Sequence, residues 1–202
     1  YAFVVIVLPD PEDVAALMNA ENLYERDIVI AAKIMTSSPF PERRMQAVKD
    51  IGHWAWSGGP PVAKFASNYL VNLISIANNH SLSVDMVKSA VQAMGNICCS
   101  SKEASLRSSA VGLVEVLCKL LEHYKDPEHN ELKHNIISTL LIVIIENNDN
   151  QKIVVMYPSL KESLRHMIKE DWRSWSTNEA QRLYTFLGYD RQNERKQSLT
   201  TA

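Results

Sequence analysis

Written as apolar and polar positions, the chain repeats itself. Ala47 to Ser57 (AVKDIGHWAWS) and Ala90 to Ser100 (AVQAMGNICCS) share the pattern A-V-x-x-φ-G-x-x-x-x-S, φ being apolar, at an offset of 43 residues without a gap. Leu70-Val-Asn-Leu-Ile-Ser-Ile-Ala77 matches Leu113-Val-Glu-Val-Leu-Cys-Lys-Leu120 at the same offset, so two helices recur together in the same order. A third unit follows at a slightly longer offset, with Lys133 to Ile145 as its first helix and Leu160 to Ile168 as its second. A period in the forties built from helices marks an α-solenoid, in which each unit buries its apolar face by stacking on a neighbour.

Strand signals are nearly absent beyond Leu8, and helix punctuation is frequent. Asp10-Pro11-Glu12, Phe40-Pro41-Glu42 and Asp126-Pro127-Glu128 each put proline at a first helical position with an acid after it. The missing N–H costs nothing there, and the carboxylate meets the positive end of the helix dipole. Ser100-x-x-Glu103 and Ser176-x-x-Glu179 fit the capping box. These signals predict helices near 11–19, 24–37, 41–56, 61–78, 84–99, 103–124, 127–147, 150–156, 159–170 and 177–187. They group into an apolar segment with capping helices (1–40), repeats at about 41–80, 84–124 and 127–170, a capping helix in 171–190, and a polar, disordered tail over 191–202. Ile136-Ile-Ser-Thr-Leu-Leu-Ile-Val-Ile-Ile145 is apolar around nearly its whole circumference, so it must be covered on all sides. The helix 177–187, with Leu183, Phe186 and Leu187, is the expected roof, the alternative being a bare face that meets a partner.

The wording of AVQAMGNICC resembles the third helix of an armadillo repeat, A-x-W-A-L-x-N-I-A, with Ala90, Ala93, Met94, Asn96 and Ile97 filling the pattern. Asn148 to Val154, then Pro158-Ser-Leu160, is similar to the N-x-x-I-V and P-x-L run that opens the next armadillo unit. The likeness covers Pro41 to Lys169. It implies an all-α, right-handed superhelix of armadillo/HEAT type with about three repeats and capping helices. It also implies a concave groove in which Trp and Asn ladders clamp an extended peptide. Here Asn96 keeps the Asn position and Gln92 stands at the Trp position. In the preceding unit these are His53 and Lys49, and in the third they fall among Ile137, Ser138, Leu141 and Ile142. That broken ladder implies a ligand other than a nuclear-import signal.

Composition narrows the function. The chain has 202 residues, 46% hydrophobic, with 21 basic and 23 acidic side chains and a net charge of −2. No basic stripe is present to neutralise phosphates, which argues against nucleic acid as a partner. Three cysteines, two of them adjacent, form no disulfide framework and suit an intracellular, cytoplasmic setting. The run Ala2 to Leu8 is too short to span a bilayer, so it is expected to be a strand or an apolar arm, with membrane attachment disfavoured. A truncated signal or anchor upstream of Tyr1 is the alternative.

No catalytic motif is found. Ser57-Gly-Gly-Pro-Pro61 lacks the Lys-Ser/Thr of a P-loop and reads as a turn. His123, His129 and His134 have spacing unlike common zinc signatures and read as solvated loop residues. Cys98 and Cys99 point about 100° apart on a helix, so one is core and the other marginal. The expected function is a non-catalytic module without cofactor or metal. It binds a protein or peptide through Lys49, His53, Gln92, Asn96 and the tryptophans Trp172 and Trp175. A permanent structural subunit, or a membrane-tethered scaffold component of a larger assembly, ciliary ones included, is the rival.

Overall fold

The computed structural model describes residues 23–172 and 175–190. The expected helix at 11–19, the apolar run before it and the tail from Arg191 lie outside the described residues. Those described are all-helical: α1 (Leu23–Ser37), α2 (Pro41–Ser57), α3 (Gly59–Ala66), α4 (Leu70–Ala77), α5 (Val84–Ser100), α6 (Lys102–Ala110), α7 (Leu113–His123), α8 (Asn130–Ile144), α9 (Asn148–Val154), α10 (Pro158–Met167) and α11 (Glu179–Phe186).

Local chemistry sets these boundaries. Pro41 opens α2 with Glu42 beside it. Ser83 caps α5 by accepting the Met86 N–H (3.3 Å), and Asn147 caps α9 by accepting that of Asn150 (3.2 Å). Two expected caps move. Ser100 ends α5, and Ser101 caps α6 instead, its hydroxyl also donating to Glu103 (3.1 Å). Asn178, not Ser176, caps α11. Two expected helices are broken. The stretch 61–78 tightens into a 3₁₀ turn at Ser67–Tyr69, where the Ser67 hydroxyl donates back to the Lys64 carbonyl (2.6 Å). The stretch 103–124 breaks at Gly112, whose φ of 73° is left-handed and open to glycine at little cost.

The long helices form one row, α2 against α5 and α5 against α8, with α1 packed on α2 and α11 on α8. The shorter helices pack behind them, α3 and α4 against α5 and α7 against α8. The core between the layers is apolar, with Val48, Ile51, Leu70, Leu73, Met94, Ile97, Leu117 and Ile136 fully buried. Each such Leu or Ile stabilises by about 1.5–3 kcal/mol.

The repeated glycine explains the twin sequences. A Cβ on Gly52 would stand 2.7 Å from the Ala93 Cα, and one on Gly95 would stand 2.8 Å from the Thr139 hydroxyl. The same motif position is thus where each long helix meets the next. Behind the row the seam is polar. Asn147 Nδ2 donates to the Ser105 carbonyl (3.1 Å), and Asn150 Nδ2 donates to the Ser108 hydroxyl (2.9 Å) and the Val143 carbonyl (2.8 Å).

On α8, Ile136, Ile137, Leu140, Leu141, Val143 and Ile144 are buried. Helix α11 lies against it with Leu183 fully buried, whereas Phe186 is 44% exposed and contributes little to the cover.

Gly52→Ala is expected to destabilise the fold by about 1–3 kcal/mol, because backbone opposes the new methyl. Gly95→Ala should cost less, since Thr139 presents a side chain that can yield. Urea unfolding of both variants checks this, and a neutral Gly52→Ala would refute the close crossing. Truncation after Lys169 removes α11 from the α8 face and should produce binding of a hydrophobic dye. A soluble truncation that ignores the dye would show that α11 covers nothing essential.

Candidate ligand groove between two long helices

Lys49, His53 and Trp56 follow one another at helical spacing on α2 and share a face. Across from them α5 presents Ser89, Gln92, Ala93 and Asn96, and the seven residues line an open groove of about 140 Å³. The close crossing shapes it, because the Asn96 amide nitrogen lies only 3.5 Å from where a Gly52 Cβ would be. Four of the expected site residues, Lys49, His53, Gln92 and Asn96, therefore meet in one place. Trp56 joins them, 58% exposed at the groove wall. Trp56 stands three residues after His53, a helical spacing that puts both on the groove face. Trp54 is half-buried and packs on the core.

The next crossing in the row is built from equivalent positions but is closed. Lys88 Nζ meets Glu131 Oε2 at 3.1 Å, and Gln92 Nε2 donates to Asn135 Oδ1 at 3.1 Å, each across 43 residues. The hydrogen bond to Glu131 raises the Lys88 pKa, and its charge adds to this. Asn135 Nδ2 is fixed in turn by the Glu131 carbonyl (2.7 Å), and the Thr139 hydroxyl reaches the Val91 carbonyl (3.4 Å). The partner of Gln92 on α8 is thus Asn135, at the unchanged offset, rather than Ile137, Ser138, Leu141 or Ile142. At the α2–α5 crossing the side chains of Lys49, His53 and Asn96 have no hydrogen-bond or ionic partner among the described residues.

Trp172 and Trp175 lie elsewhere, at the α8–α11 end. Trp172 is buried, stacks on His134 at 3.8 Å and donates its indole N–H to the Met167 carbonyl (2.7 Å). Trp175 is half-buried and stands edge-on to both rings at 5.9 Å. Beneath them Lys133 Nζ contacts Glu170 Oε1 at 2.9 Å and His134 Nε2 contacts Glu170 Oε2 at 3.3 Å. Burial lowers the His134 pKa, and Glu170 only partly offsets it. The Trp172 indole is thus held in the molecule's own packing, with the half-buried Trp175 beside it.

The remaining candidates separate. His123 stacks on His80 at 4.1 Å, and His129 meets Tyr124 edge-on at 5.0 Å. The ligand atoms of Asp126, Glu128 and His129 lie within 4.8 Å of one another, but both carboxylates are exposed. Cys98 is buried, which pushes its pKa up to about 12, while Cys99 is exposed.

The family model described as armadillo-like helical domain-containing protein 2 matches residues 7–191. The chain belongs to this armadillo-like family. No curated protein and no solved structure matches it. In this armadillo-like chain no helix among the described residues is long and apolar enough to cross a membrane.

Burial favours the neutral form of His134, so the unfolded chain takes up the proton first as pH falls. Its contribution is complete above the ordinary value of 6.5 and is lost as pH falls from there toward the depressed folded value. Urea midpoints should therefore drop between about pH 7.5 and about pH 5.5, and His134→Phe, which keeps the stack on Trp172, should flatten that drop. An equal drop in the variant would assign the slope to other groups.

Proposed function

We propose that this chain is a non-catalytic protein-interaction module. It is read as a right-handed α-α superhelix of about three armadillo-like repeats, receiving a segment of a partner protein on its inner, concave surface between α2 and α5. One observation carries this reading. Two crossings share the same helical positions, and one is tied by side-chain hydrogen bonds while the other presents unpartnered polar groups beside an exposed indole. The Asn96 amide offers a donor and an acceptor together, the pair that a peptide backbone needs. Trp56 supplies apolar area with few rotors to freeze, so affinity would come from an anchor placed on it and orientation from the polar groups. Membership of an armadillo-like family supports an interaction role in general terms, and the three free cysteines suit the cytoplasm.

A second reading, a permanent subunit or tethered scaffold in a larger assembly, draws on α1. Leu23, Ile30 and Ile34 are 67%, 43% and 38% exposed there, an apolar stripe at the outer end of the row.

The test starts from a partner isolated by affinity purification and mass spectrometry from native tissue. Asn96→Ala should weaken that complex by about fivefold to tenfold, the worth of one or two hydrogen bonds, with an unchanged melting curve. Gln92→Ala should lower both affinity and melting temperature, because Gln92 also ties α5 to α8. Undiminished binding by Asn96→Ala would exclude this groove as the binding face.

A further inference from the structure

Resting on the groove reading above, we infer that the partner segment is acidic and short: a carboxylate-bearing stretch whose acid meets Lys49 and whose neighbouring apolar residue lies on Trp56. Charge complementarity carries the inference. The groove contains one ammonium, Lys49, together with the His53 imidazole, and no carboxylate lines it. At the neighbouring crossing the lysine facing the same row, Lys88, is already neutralised by Asp85 (3.4 Å) and Glu131 (3.1 Å). One crossing is internally compensated and the other carries an unmatched positive charge, which attracts an anionic group and repels a basic one.

The closed crossing also limits length. A chain running along the row past Gln92 meets the Gln92–Asn135 and Lys88–Glu131 contacts, and Asn135 is 9% exposed. Continuing would break those contacts without replacing them, an unfavourable exchange. The footprint therefore ends at α5, and specificity rests on the acid, the residue over Trp56 and the backbone groups between them.

The experiment selects binders to the full chain from a phage-displayed library of random short peptides. Selected peptides are then synthesised in acidic form and with Asp and Glu changed to Asn and Gln. Each is titrated against the wild type, Lys49→Glu, Lys49→Met and Asn96→Ala. Selected peptides should be rich in Asp and Glu. Neutralising the acid should weaken wild-type binding by about tenfold, more at low salt than at high. Lys49→Met should abolish that difference and Lys49→Glu should reverse it. Asn96→Ala should weaken acidic and neutral forms alike. Lys49 is exposed, so both variants are expected to melt with the wild type. If binding depends on Asn96 but acidic and neutral forms titrate identically, the acidic partner is overturned and the groove stands. If no selected peptide responds to Asn96→Ala or to either Lys49 variant, the groove reading fails and the acidic partner fails with it.

Discussion

The architecture depends on how closely successive long helices approach. Backbone nears backbone where Gly52 meets Ala93, and Gly95 leaves the room that the Thr139 side chain occupies. Glycine in a helix interior costs about 1 kcal/mol relative to alanine. That cost is accepted at the same motif position in both helices because a methyl would wedge the row apart. With the helices this close, their flanking side chains fall within hydrogen-bonding reach, which is why Lys88 meets Glu131 and Gln92 meets Asn135. The close approach thus governs the packing of the core and the character of each crossing.

Much of this was legible in the sequence because the repeat spacing is itself a physical measurement. The shared glycine and the 43-residue offset located the helices that pack together, and they brought Lys49, His53, Gln92 and Asn96 to one groove. Two things were hidden. The breaks at Ser67–Tyr69 and Gly112 lie inside continuous apolar patterns, where burial favours helix and only a tightened turn or a left-handed glycine interrupts it. Trp172 sits among Lys169, Glu170, Asp171 and Arg173, a run that reads as solvated surface. It is buried against His134, some forty residues upstream. No local signal reports a tertiary partner of that kind, and the same is true of Phe186, whose apolar character did not ensure burial.

The polar groups of the row divide by what they touch. At the α8–α11 end, Lys133 and His134 both meet Glu170, with His134 stacked on an indole, a costly arrangement that holds only while each has its partner. At the α5–α8 crossing, amide and ion pairs satisfy one another at the edge of solvent. At the α2–α5 crossing Lys49, His53 and Asn96 have no hydrogen-bond or ionic partner among the described residues. Along the row the polar side chains thus run from sealed, through paired, to unpartnered.

The regular spacing of the row has a kinetic consequence as well. Contacts between successive long helices join residues about 43 apart, so the loops to be closed are short against a chain of 202 residues. Loop-closure entropy grows with length, and a fold assembled from such near-neighbour docking starts from any adjacent pair and grows outward. During synthesis α2 and α5 are positioned to dock before α8 has left the ribosome, so the groove takes shape while the later helices are still being made.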